Sequence, residues 1–154
     1  MYAIKADDLP TYNKMLISFM EYEETTVHVT DRYSYHQAEE GYIIPNTENL
    51  SKHEQDDNDS AWNVQDLKFH SDWNWIMPVM NKCREINDEY KEIWKASSYE
   101  IDRLNHIDMD FKFKNIMIYV MYVDPERTLI EIIKFIKELT NVKNGSNENE
   151  GVQN

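Results

Sequence analysis

Apolar residues recur every three or four positions in some parts of the chain and every second position in others, and this change of period divides the sequence into elements. Tyr12, Met15, Leu16, Phe19 and Met20 share one helical face. Asp7 or Asp8 can cap that helix, with Pro10 in its first turn. The helix should run to about Tyr22, where Glu21, Glu23 and Glu24 crowd the negative end of its dipole and help to stop it. Residues 25–30, TTVHVT, alternate and are rich in β-branched side chains, so they predict a strand that Tyr33 and Tyr35 extend. Gly41 to Ile44 predicts a second strand closed by Pro45, with Gln37 to Glu40 as the hairpin connection. Met1 to Ala6 reads as a short lead-in strand, and Ala61 to Phe69 as a strand alternating through Trp62, Val64, Leu67 and Phe69.

The middle of the chain is organised around residues 66–86, DLKFHSDWNWIMPVMNKCREI. Ser71 stands where a hydroxyl can cap a first turn. Trp73, Met77, Met80, Cys83, Ile86, Tyr90 and Ile93 then form one helical stripe. Pro78 lies past the first turn, and because the stripe continues through it the sequence predicts a kink, not a stop. Trp73 sits on the stripe as a core anchor. Trp75 lies off it, with two readings: a cover for a strand edge or loop, or an exposed anchor for a partner. The helix should reach about Ser98, with a second piece over Tyr99 to Ile107.

Met109 to Val123 gives the strongest strand pattern. Phe111, Phe113, Met117, Tyr119 and Met121 lie on one parity and Ile116, Ile118, Val120 and Tyr122 on the other. From Ile116 both faces are apolar, which implies a strand covered on both sides or placed at an interface; Lys114-Asn115 could instead form a bend. Asp124 then caps a last helix with Pro125 at its first position and Leu129, Ile132, Ile133, Ile136 and Leu139 as its stripe. The result is a single α+β domain over residues 1–141: an antiparallel sheet of about four to five strands against an N-terminal helix, a long kinked central helix and a C-terminal helix. Residues 142–154 are polar and aperiodic and predict a disordered tail.

Composition narrows this little, but charge changes it. The 154 residues hold only 3 Gly and 4 Pro, so elements dominate over loops. No run of about eighteen apolar residues predicts a membrane span, and Met1 to Lys5 lacks the order of a signal peptide. One cysteine, Cys83, allows no internal disulfide and fits a reducing cytoplasm. Net charge is −13, and residues 1–70 carry 14 acidic against 5 basic side chains. Such a surface repels phosphate, which disfavours direct nucleic-acid binding, and attracts basic grooves on other proteins.

Catalytic chemistry finds little footing. His28-Val29-Thr30 resembles one arm of the H-x-T pair of two-histidine phosphoesterases. Its candidate partner, His106-Ile107-Asp108, has a carboxylate where a hydroxyl should meet phosphate. His53, Glu54, Asp56, Asp57 and Asp59 could gather a hard cation, but the order of a calcium loop and its glycine are missing, and the segment reads as a solvated loop. His70 with Asp72 could form a ligand pair, but one histidine at a strand–helix junction reads as a cap or a satisfied polar residue. No phosphate loop, dinucleotide fingerprint, nucleophile elbow or metalloprotease motif occurs. No cofactor is implied. Tyr33, Tyr35 and Tyr42 beside Glu39 and Glu40 form a different patch, aromatic and acidic, suited to arginine-lined grooves or simply to the exposed face of a hairpin.

The segment HSDWNWIMPVMNKCREI resembles the H-S-[DS]-W-[DN]-W-[LI]-M-P-V-V-x-K-I segment of small uncharacterised proteins of Bacteroidetes phages and prophages. Asn13, Lys14, Ile17, Phe19 and Met20 match that family's preceding helix, and Ile132 to Asn141 match its C-terminal helix loosely. Glu138-Leu139 departs from the family's W-Y, and His53 to Ser60 resembles an insertion. The resemblance implies a mobile-element origin and brings no activity. With the acidic bias it leads to the expectation of a non-enzymatic cytoplasmic inhibitor, of the anti-CRISPR type, acting on a basic nucleic-acid-handling surface of a host RNA-guided nuclease. Its binding residues would be Tyr33, Tyr35, Glu39, Glu40, Tyr42, Glu54, Asp56, Asp57, Asp59 and Trp75. A nucleotide phosphoesterase using His28 and His106, a small-ligand sponge and a self-assembling homodimer are the alternatives.

Overall fold

The computed structural model describes residues 4–30, 36–45, 47, 61–63 and 66–152. Helix α1 spans Leu9–Met20; strands β1, β2 and β3 span Glu24–Thr30, His36–Ile43 and Ala61–Asn63; helices α2, α3 and α4 span Trp73–Ala96, Glu100–Met121 and Pro125–Val152. The architecture is α+β, four helices and a small antiparallel sheet in the order β1-β2-β3. Three strands are present among the described residues, where the sequence predicts four to five.

Two of the differences lie in the sheet. Gln37 to Glu40, expected as a connection, belong to β2 and pair with β1, so the hairpin turns earlier than the Gly41 to Ile44 pattern implies. Among the described residues of Ala61 to Phe69, Ala61–Asn63 is strand, paired to β2 through Trp62 opposite Tyr42. Leu67 and Phe69 are buried without strand pairing, because an apolar side chain needs a core contact and not a ladder.

The largest difference is α3. Residues 109–121 are helical, not extended. No Gly or Pro interrupts Glu100 to Met121, and extending a helix already begun needs no second nucleus. Met109, Phe113, Ile116, Met117 and Val120 then fall at helical spacing against the core, and Lys114 pairs with Asp110 one turn back, N···O 2.9 Å. The alternating pattern was compatible with both periods. The helix satisfies its backbone without a partner strand.

Helices α2, α3 and α4 pack in succession, α3 touching both neighbours, while α1 lies on α4 and α2. Asp72, one residue after the expected cap Ser71, caps α2 by accepting from the Asn74 N–H at 2.9 Å. The buried face of α2 is Trp75, Ile76, Val79, Met80, Cys83 and Asn87, and Trp73 and Met77 are only half-buried. Pro78 lies inside a helix that continues to Ala96. Asp124 accepts from the Arg127 N–H at 3.0 Å and starts α4 with Pro125 at its first position, as the sequence predicts. Beyond Asn141, where a disordered tail is expected, α4 continues to Val152, and Val142 joins the core.

With so few glycines, two helices end on residues with side chains in the left-handed region. Glu21 (φ 57°) closes α1 and Val123 (φ 54°) closes α3. After α3 the Asp124 N–H bonds Tyr119 O and the Val123 N–H bonds Val120 O, the paired bonds that satisfy a helix end.

Candidate partner-binding surface

The register of β1 on β2 sets Glu24 opposite Tyr42, Thr26 opposite Glu40 and Val27 opposite Glu39. Side chains alternate along a strand, so Glu24, Thr26, Glu40 and Tyr42 share one face, and Thr25 and Glu39 point to the other. Glu24, Thr25, Thr26, Glu39 and Glu40 line a shallow open depression of about 570 Å³. Glu24 and Glu40 therefore stand on one face of the hairpin and Glu39 on the other, and all three border the depression.

These carboxylates are held at different angles by neutral groups. The Tyr42 hydroxyl donates to Glu40 Oε1. That bond holds Glu40 below the usual carboxylate range, with Lys14 assisting. Burial, then the bond and charge of Glu40, push the Tyr42 phenol up to about 12. Tyr42 is buried and supports Glu40 from below. On the opposite face Asn63 Nδ2 donates to Glu39 Oε2 at 3.2 Å, while Asn63 Oδ1 accepts from the Asp66 N–H at 3.0 Å. Asn63 is itself buried, so Glu39 is braced by a fixed donor.

A second acidic row lies on α2. Glu85, Asp88, Glu89 and Glu92 recur at three- and four-residue spacing and border, with Ile93, a shallow depression of about 500 Å³. Lys95 approaches Glu92 at 3.7 Å on the same exposed helix face. The spacing is legible in the sequence as an acidic face of the helix opposite its apolar stripe.

Of the residues expected to bind a partner, Glu40 and Tyr42 come together on one face of β2, and Glu39 lies on its other face. Tyr33, Tyr35, Glu54, Asp56, Asp57 and Asp59, like His53, lie outside the described residues. Trp75 is not a surface anchor: it is 3% exposed. Its ring meets Trp62 edge to face at 4.8 Å between centroids and Phe69 at 5.3 Å. Trp62 in turn donates from Nε1 to Thr47 Oγ1 at 2.7 Å, and Thr47 Oγ1 donates to Ile44 O at 2.7 Å. Trp75 thus joins the sheet to the first turn of α2, the position the stripe assigns to Trp73.

The two histidines are not on neighbouring strands: His28 is in β1, its side chain outside the described residues, whereas His106 lies in α3. The His106 ring stacks on Trp94 with centroids 5.1 Å apart and planes within 10°. Close by, Asn87 Nδ2 donates to Asp110 Oδ1 at 3.1 Å. Burial works against the Asp110 charge, but hydrogen bonds from Lys114 and Asn87 hold its carboxyl below the usual range. This cluster ties α2 to α3. Among the described residues no group of three or more His, Cys, Asp or Glu side chains could hold a metal ion, and no helix is long and apolar enough to cross a membrane.

The chain matches no protein-family model, no curated protein and no solved structure.

Proposed function

We propose that this chain is a binding protein, not an enzyme, and that it works by presenting fixed carboxylates to a basic groove on another protein. The observation that carries the reading is the acidic β1–β2 hairpin, with Glu24 and Glu40 on one face and Glu39 on the other, Tyr42 holding Glu40 and Asn63 holding Glu39 in place. Carboxylates oriented in advance lose less freedom on binding than mobile ones, so their attraction for a basic surface is not spent on ordering them. The row Glu85, Asp88, Glu89 and Glu92 and the net charge of −13 steer the same kind of partner. In its specific form, the partner is a nucleic-acid-handling protein, an RNA-guided nuclease being the favoured case, whose phosphate-binding groove the acidic surface occupies. The resemblance of residues 70–86 to phage and prophage proteins supports that form.

The test is a pull-down with the tagged chain from a bacterial lysate at low and moderate salt, followed by nuclease assays on any basic protein recovered. A partner lost as ionic strength rises, and lost with Glu39→Lys and Glu40→Lys together, supports the reading. Recovery unaffected by salt and by charge reversal overturns it. If the recovered nuclease cleaves normally when saturated with the chain, the inhibitory form is wrong.

A further inference from the structure

The outward face of α3 carries a row of large apolar residues, interrupted by the exposed Arg103, Asp108 and Lys114. Ile101, Leu104, Ile107, Phe111, Ile118 and Met121 are all exposed, Phe111 at 60% and Met121 at 80%. The inward face, with Met109 and Ile116, is fully packed. A row of exposed large apolar residues marks a contact surface, and α2 and α4 cover only the other side of this helix. Tyr99 precedes the row, and Tyr122 and Val123, 76% and 70% exposed, follow it. Its outward area is on the order of the ~800 Å² that each partner of a standard interface buries. That exceeds what a monomer usually leaves in water.

The arrangement of the row specifies its occupant. We propose that a second copy of this chain lies antiparallel along α3, with the two-fold axis at Phe111. Three apolar pairs are spaced evenly about that position: Leu104 then falls opposite Ile118 of the second copy, Ile101 opposite Met121 and Tyr99 opposite Val123, while Ile107 falls opposite Asn115 and Tyr122 opposite Glu100. Asp108 falls opposite Lys114, and the symmetry repeats the opposite-charge pair. A parallel alignment would instead set Asp108 against Asp108 and Lys114 against Lys114. The contact is isologous, so it closes at two copies.

Charge also favours this face. Residues 100–123 hold the acids Glu100, Asp102, Asp108 and Asp110 against the bases Arg103, Lys112 and Lys114. A chain that elsewhere repels its own kind is nearly neutral here. The acidic β1–β2 surface is formed by other elements, so dimerisation stands apart from partner binding.

Sedimentation of the full chain should give a dimer. Phe111→Glu, a change at an exposed site, should raise the dissociation constant at least ~30-fold with helicity unchanged. Asp108→Lys should weaken the dimer, and Asp108→Lys with Lys114→Asp should restore it. These two variants carry the test should Phe111→Glu fail to fold. Under mild oxidation Phe111→Cys should form a covalent dimer, while the same change at exposed Lys134 on α4 should not; the native Cys83 is buried and stays silent. A monomer at about 100 µM, an open-ended oligomer, or cross-linking no faster at 111 than at 134 overturns the proposal.

Discussion

Replacing Trp75 by alanine tests whether the sheet is joined to the helices where the structure places the joint. The indole is 3% exposed and makes edge-to-face contacts at 4.8 Å and 5.3 Å with Trp62 and Phe69. Truncating a buried tryptophan costs about 3–5 kcal/mol, of which each aromatic pair contributes about 0.5–1.5 kcal/mol beyond area burial. At about 2–4 °C per kcal/mol for a chain of this size, Trp75→Ala should lower the melting temperature by about 6–20 °C. Trp73→Ala, at a half-buried position, should cost about 1–2 kcal/mol. Urea unfolding followed by far-ultraviolet circular dichroism measures both, and adding Trp62→Phe completes a cycle whose coupling term should approach 1 kcal/mol. A Trp75→Ala cost below about 1 kcal/mol, or one smaller than that of Trp73→Ala, would refute the assignment of Trp75 to the core.

Asn87→Asp would place a second carboxylate against Asp110 and should destabilise the α2–α3 contact by about 1–3 kcal/mol near neutral pH. Because protonating either acid relieves the repulsion, the deficit should shrink in urea melts near pH 4. In the Phe111→Glu background, where the proposed dimer contact is removed, Val123→Gly should stabilise by about 1 kcal/mol, since a β-branched residue is strained at φ 54° and this side chain makes little packing within its own chain; an unchanged or lower midpoint counts against that strain. Burial pushes both the Cys83 thiol and the Tyr42 phenol up to about 12. Both groups keep their protons longer when folded, so their contribution is intact below pH about 9 and is lost as pH rises toward 12. Cys83→Ala should therefore flatten the fall in urea midpoint between about pH 8 and 10.5, whatever its constant packing cost; an unchanged slope would exclude Cys83 as a source of it.

Local rules made part of this fold legible in the sequence. Asp124-Pro125 marks the start of α4 by itself, because a cap and a first-turn proline act within four residues. The stripe Leu129, Ile132, Ile133 and Leu139 identifies the buried face of that helix in the same way. Trp73 and Trp75 were not separable, since a periodic stripe fixes the helix but not which of two adjoining faces meets the sheet. Residues 109–121 misled because their apolar residues satisfy the strand period and the helix period together, and only the uninterrupted start at Glu100 decides between them. In the candidate surface, Glu39 and Glu40 were visible as neighbours in sequence. Glu24 joins Glu40 on one face only through the β1–β2 register, which a turn in another place would have changed.

Pro78 has no N–H to return to the Asn74 carbonyl, so the hydrogen-bond ladder of α2 lacks a rung just after its first turn. On one side of that gap Trp75 packs against Trp62 and Phe69; on the other Val79, Met80 and Cys83 enter the helical stack. The proline therefore sits on a seam between two cooperative blocks. Helices α2 to α4, joined by short turns, can assemble from near neighbours in sequence, whereas the sheet must bring β3 to β2 across a long connection. Amide protons before and after Pro78 should accordingly report two different opening energies within one continuous helix.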